Sequence, residues 1–133
     1  APELAHALQS AEMPALHRWG GARGYMRQCQ GPGWALVGDA GYFKDPMTAH
    51  GITDAFRDAA LLAQGFVARG GDLTGYEQTR NRLSRGLFDV TRAIAGFEWT
   101  LDELKTLHTD LNAEMKAEHA FMRHADQPLK VPA

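Results

Sequence analysis

The stretch Gly33–Leu62, GWALVGDAGYFKDPMTAHGITDAFRDAALL, decides how the chain is read. It opens with a compact apolar run, Trp34-Ala35-Leu36-Val37, set between turn signals. A run of that length reads as a buried strand, ending here at Gly38-Asp39. Pro46 suits the first turn of a helix that continues through Ala55, Phe56, Ala59, Ala60, Leu62, Ala63 and Phe66. This order of strand, acidic turn, loop and helix delivers Asp39 to the carboxyl end of the strand, where ligands of sheet-containing folds collect. Gly38 and Gly41 flank the carboxylate and let backbone approach a ligand closely. An ionised Asp only accepts hydrogen bonds, which suits the hydroxyls of a sugar or ribityl chain. The helix start turns its free N–H groups and positive dipole end toward the same place. Gly51, near that end, removes a side chain where a flat ligand lies against backbone. Such a helix start favours negative charge by about 0.3–1 kcal/mol, as on the N1 and C2 carbonyl edge of a reduced flavin.

Toward the N-terminus, Pro2, Leu4, Ala5, Leu8 and Ala11 predict a short helix over 2–13, stopped by Pro14. Residues 15–32 are glycine-rich and irregular, with a short strand expected near Gly24–Cys29. Toward the C-terminus, Gly70-Gly71 ends the first helix and Asp72 caps a second. The second helix carries the stripe Leu73, Tyr76, Leu83, Leu87, Val90, Ile94 and Phe97, with Arg80 as its one gap. Thr100-Leu101-Asp102-Glu103 is a capping-box pattern that starts a third helix. Leu101, Leu104, Leu107, Leu111, Met115 and Met122 mark its buried side, and the tail from Asp126 is polar with Pro128 and Pro132. The expected fold is mainly α with one or two short strands. A buried strand needs neighbours, and two short strands hardly make a sheet, which is the first hint of a missing part.

The 133 residues and 14.6 kDa suit one domain. With 14 Lys+Arg against 16 Asp+Glu, the net charge of −2 gives no basic surplus, so no nucleic-acid partner is expected. The single cysteine, Cys29, excludes an internal disulfide, reads as a small buried hydrophobe and suits a reducing, cytoplasmic compartment. No apolar run approaches the roughly 20 residues of a membrane-spanning helix, and none is expected. His6, His17, His50, His108, His119 and His124 form no HExxH or Cys/His cluster, so no metal centre is expected.

The same stretch resembles the second flavin-binding motif of the FAD-dependent monooxygenase and oxidoreductase family, the relatives of para-hydroxybenzoate hydroxylase. The resemblance rests on Gly38-Asp39-Ala40, Pro46, Gly51 and Asp58-Ala59 with Leu61 and Leu62. The variant Gly41-Tyr42-Phe43-Lys44-Asp45-Pro46 is similar to that of a bacterial subgroup of these oxidoreductases. The resemblance implies FAD as cofactor, NAD(P)H as electron donor and a small organic substrate. It implies that Asp39 touches the ribityl chain, and that Pro46 with the backbone from Thr48 through Ala49 and Gly51 to Ile52 lies beside the isoalloxazine ring. The motif covers about thirty residues. The family's GxGxxG pyrophosphate loop is not in the sequence. Its nearest match, Gly31-Pro32-Gly33-Trp34-Ala35-Leu36, lacks the last glycine and precedes the strand.

The chain therefore resembles the C-terminal part of an α/β, Rossmann-like FAD/NAD(P)-binding flavoprotein fold, whose N-terminal FAD-binding part would be its partner. On this reading residues 1–32 end the substrate region and linker. Residues 33–71 form the motif, 72–125 the C-terminal helices and 126–133 the tail. The intact parent would be the enzyme, and this piece alone would not be active. Single residues also have plainer readings. Asp39 suits any turn after a strand. His50 is the candidate acid or base beside the ring, set against a hydrogen-bonded role in the first helical turn. Tyr42, Phe43 and Lys44 either line the site or pack the loop. Asp54 and Asp58 suit the early helix dipole, with Arg57 pairing to either. The alternative to a flavoprotein is a non-enzymatic helical module that forms homo-oligomers through its leucine stripes.

Overall fold

The computed structural model describes residues 21–68 and 70–125, with Pro2 and His6. Apart from Pro2 and His6, the helix expected over 2–13 lies outside the described residues, as does the tail from 126. The fold is mainly α with a few short strands. Strand β1 (Tyr25–Met26) pairs antiparallel with β4 (Tyr42–Phe43), Tyr25 opposite Phe43 and Met26 opposite Tyr42. Between them β2 (Gln30–Gly31) and β3 (Trp34–Ala35) form a tight hairpin, Gln30 opposite Ala35 and Gly31 opposite Trp34. Pro32-Gly33 makes its corner with the Pro–Gly order of a type II turn, and Gly33 supplies the positive φ of 78°. The Gly31-Pro32-Gly33 run is thus a hairpin corner covered by the Trp34 indole.

The strand expected over 34–37 shortens to Trp34–Ala35. Val37 stays extended and leads into a 3-10 turn at Gly38–Ala40. Pro46 does not start the long helix. It opens a separate 3-10 turn, Pro46–Thr48, capped by Asp45, whose Oδ1 accepts the Met47 N–H at 3.0 Å. Ala49 then takes a left-handed conformation (φ 51°) and breaks the run. Helix α1 (Gly51–Ala68) begins only after that break.

Helices α2 (Thr74–Ala95) and α3 (Leu101–Ala125) follow, with α2 packed against both α1 and α3. Gly70 and Gly71 close α1, Gly71 donating to the Phe66 carbonyl, and Asp72 Oδ1 accepts the Thr74 N–H. The capping box forms as expected. Glu103 accepts the Thr100 N–H at 2.7 Å, and Thr100 Oγ1 accepts the Glu103 N–H at 3.3 Å. Cys29, Leu61 and Tyr76 form an apolar core against which Leu36, Val37, Leu62, Leu83 and Phe121 pack. Burial pushes the Cys29 thiol pKa up.

Helix α1 is inverted relative to its sequence pattern. Asp54, Arg57 and Asp58 are buried with Leu61, while Ile52 and Phe56 are 75% exposed and Phe66 is 60% exposed. Trp34 is also exposed, but Leu36 and Val37 pack on the core. Among the described residues no helix is long and apolar enough to cross a membrane.

Gly38 joins the sheet region to α1. Its φ is +53°, and a Cβ there would stand 2.9 Å from the Ala55 Cβ. Its N–H donates to Asp58 Oδ2 at 3.2 Å. Gly38→Ala combines left-handed strain of about 1–2 kcal/mol with a steric contact that must be relieved. The expected loss is about 2 kcal/mol, read from the midpoint of urea unfolding. An unchanged midpoint would show that the turn relaxes freely.

Candidate functional site

The chain from Val37 to Ala55 wraps a cavity of about 590 Å³. Gly38, Asp39, Pro46, Thr48, Ala49, Gly51 and Ile52 line it, together with Tyr42, Phe43 and Lys44. The 3-10 turn at Gly38–Ala40 is fixed from below, because Tyr25 Oη donates to the Asp39 carbonyl at 2.7 Å and Arg27 Nη1 to the Ala40 carbonyl at 3.2 Å. Ala40 is not among the lining residues. Asp39 is exposed, with its carboxylate toward the start of α1: a Cβ on Gly51 would lie 3.7 Å from Asp39 Oδ1. The first helical bond of that turn is Asp54 N–H to the His50 carbonyl, so the N–H groups of Gly51, Ile52 and Thr53 precede it. Thr48 Oγ1 is buried with no hydrogen-bond partner.

His50 points the other way. It is 4% exposed, and its Nε2 donates to Glu118 Oε2 at 2.5 Å. It stands within the wall behind the cavity and does not line it.

That wall is a buried ion network. Arg57 is 1% exposed, and its N–H donors are all engaged. Nη1 donates to Asp54 Oδ1 (3.0 Å) and Glu118 Oε1 (2.5 Å). Nε and Nη2 donate to Asp58 Oδ1 (3.1 and 2.7 Å), and Nη2 also to Ser84 Oγ (2.8 Å). Lys44 Nζ pairs with Asp54 Oδ2 and lies over the Tyr42 ring, 4.7 Å from its centroid. The network ties the loop before α1 to all three helices: Lys44 from the loop, Asp54, Arg57 and Asp58 from α1, Ser84 from α2 and Glu118 from α3.

Burial sets the electrostatics. It drives the Lys44 pKa down to about 8, with Arg57 adding to the effect. It works to lower Arg57 too, yet Asp58 and Glu118 outweigh it and hold the guanidinium above its usual value. Burial alone would raise Glu118, but the His50 hydrogen bond and Arg57 hold its carboxyl below the usual range. Tyr42 is pushed up by burial.

His50, Asp54 and Glu118 bring ligand atoms within 4.8 Å of one another, an arrangement that suits a cation. Here the cationic charge beside these carboxylates comes from Arg57 and Lys44.

Sequence reading placed the cavity residues but missed Glu118, Ser84 and the buried role of Arg80. A signal for two of them exists. Leu104, Leu111 and Glu118 are spaced by seven, as are Leu73, Arg80, Leu87 and Ile94, so both charges fall on the stripes that pack. Arg80 is fully buried and donates to the carbonyls of Gly41 (3.2 Å) and Arg27 (2.6 Å).

Compared with known proteins, the chain matches no family model, no curated protein and no solved structure.

Proposed function

We propose that the chain is the C-terminal part of an FAD-dependent oxidoreductase of the monooxygenase type. In this reading it contributes the surface that holds the ribityl chain and isoalloxazine ring, for oxidation or reduction of a small organic substrate. One observation carries the reading. Every cofactor-binding residue expected from the motif, save Ala40, lines a single cavity at the start of α1.

The lining fits such a ligand. Thr48 lines the cavity, and its buried Oγ1 has no partner within the protein, a hydrogen-bonding capacity that a small side-chain rotation would offer to the polar edge of a ring. Gly51 leaves the space between Asp39 and the helix start clear. Asp39 accepts hydroxyl protons, and the N–H groups of Gly51, Ile52 and Thr53 favour an electron-rich edge. FAD, when bound, supplies the electron-transfer chemistry, with NAD(P)H as the expected donor. The residues of this chain bind and orient the ring, and the buried network behind them keeps the helix start in place. The exposed Ile52, Phe56 and Phe66 on α1 fit a face covered by the remainder of the parent, which would also bring the pyrophosphate site.

FAD titrated into the full-length parent is expected to give a yellow, stoichiometric complex. Asp39→Ala should weaken it at least about tenfold, or 1.4 kcal/mol, with the circular dichroism unchanged. A parent that binds no FAD would refute the reading. The same exposed α1 face also supports the second reading, a non-enzymatic module that self-associates. A parent without FAD whose isolated C-terminal chain is a dimer by light scattering, dispersed by Phe56→Glu, would favour it.

A further inference from the structure

A second cavity, of about 920 Å³, lies against the first. Lys44 and Asp45 line both, so this pair is the partition between them. The lining of the second cavity carries more basic than acidic side chains. Arg23 and Arg92 line it, and neither joins an ion pair among the described residues. Lys44 also lines it, with its Nζ paired to the buried Asp54. The one carboxylate on the lining, Asp45, turns its Oδ1 to the Met47 N–H at 3.0 Å.

The carboxyl end of α2 also borders this space and would repel an anion if left bare. Three of its last four carbonyls are covered. Gly96 N–H serves Arg92 and Ala93, and Phe97 N–H and Trp99 Nε1 serve Ile94. Phe88, 7% exposed, and Ala95 add apolar wall. A space of this size suits a ligand with a body, since small-molecule sites run from about 300 to 1,000 Å³.

We propose that this second cavity binds a small organic acid, its carboxylate or phosphate group held between Arg23 and Arg92 and its apolar body against Phe88. Guanidinium groups match both oxyanions through paired N–H donors. Because Lys44 and Asp45 line both cavities, the acid lies beside the first, and we assign it as the substrate class of the oxidoreductase. That last step alone rests on the flavin reading.

The test is calorimetric titration of the chain, at low ionic strength, with hexanoate, hexyl phosphate and the neutral isostere hexanamide. At least one acid is expected to bind about tenfold or more tighter than the amide. Arg23→Gln and Arg92→Gln should each weaken that acid about tenfold, while Arg85→Gln, an exposed α2 position lining neither cavity, should not. Acid and amide binding alike, or arginine variants that leave the acid unaffected, would overturn the proposal. NADPH titrated in parallel separates the other source of an oxyanion. If it binds through these arginines and the acids do not, the site belongs to the electron donor and the proposal fails. The acid titration needs no flavin. Its failure with FAD binding intact in the parent sinks this inference alone. Acid binding in a parent that takes no FAD upholds the site and removes the flavin reading.

Discussion

Replacing Arg57 by Ala is expected to destabilise the chain by about 3–5 kcal/mol, the usual cost of breaking a buried ion pair on one side. The side chain is 1% exposed and serves Asp54, Asp58, Glu118 and Ser84 at once. Without it, Asp58 loses its cation, Glu118 keeps only His50, and Asp54 keeps only Lys44. Each carboxylate then either stays charged in a poorly solvated place or takes a proton and loses acceptor strength. Domains of this size hold only about 5–15 kcal/mol in total, so a large part of the fold's stability is at stake. Arg57→Lys keeps the charge but not the planar fork, and serves fewer of the partners. It should fall between wild type and Ala. Urea unfolding at constant slope reads all three. A loss below about 1 kcal/mol for Ala would mean that water replaces the guanidinium, and that the network is open where it is described as closed.

That cost measures the broken pairs, not the worth of the whole network. Apolar residues filling the same space often do as well as a buried ion set. The charges must then be explained by placement. Here the buried ions gather from the loop before α1 (Lys44), from α1 itself (Asp54, Arg57, Asp58) and from α3 (Glu118), and their shared point is the first turns of α1. The network fixes where the helix start sits relative to Gly38–Ala40, and so fixes the shape of the cavity between them.

The regular elements were legible because their signals are local. The capping box at Thr100 and the paired glycines after Ala68 each act within a few residues, and each forms. The stripe on α2 places Tyr76, Leu87 and Ile94 in the interior, although Phe97 at its end is 77% exposed. Helix α1 was read less well. Periodicity marks where apolar residues recur, and it takes that face as the buried one. In α1 the buried face carries Asp54, Arg57 and Asp58, because their partners Lys44, Ser84 and Glu118 arrive from distant segments. Long-range charge pairing leaves no local pattern. The start at Gly51 was missed for a related reason: Pro46 fits any helical first turn, and only the left-handed Ala49 separates a 3-10 turn from the helix. The cavity, by contrast, was visible in sequence, since its lining comes almost entirely from one run, Val37 to Ala55. His50 belongs to that run but turns inward to Glu118, a partner 68 positions away.

The second large effect is expected at Glu118, and it depends on pH. Its two oxygens accept from Arg57 Nη1 and His50 Nε2, both at 2.5 Å, and so bind α3 to the start of α1. These contacts hold its carboxyl below the ordinary value of 4.5 despite burial. Protons therefore bind the unfolded chain at this residue before they bind the folded one. The stabilisation is complete above the ordinary carboxyl range and is lost as pH falls through the lowered folded value. Glu118→Gln keeps the shape and one acceptor but removes the charge, leaving Arg57 overbalanced by fewer anions. At neutral pH it should cost about 3 kcal/mol. It should also flatten the acid limb of the stability curve, because the titrating group is gone. The gap between wild type and Glu118→Gln is thus expected to be widest near neutrality and to close as both are taken below the ordinary carboxyl range. Urea midpoints measured across that range decide the matter. A gap that stays constant with pH would show that the acid sensitivity arises at other carboxylates and that Glu118 contributes through its shape alone.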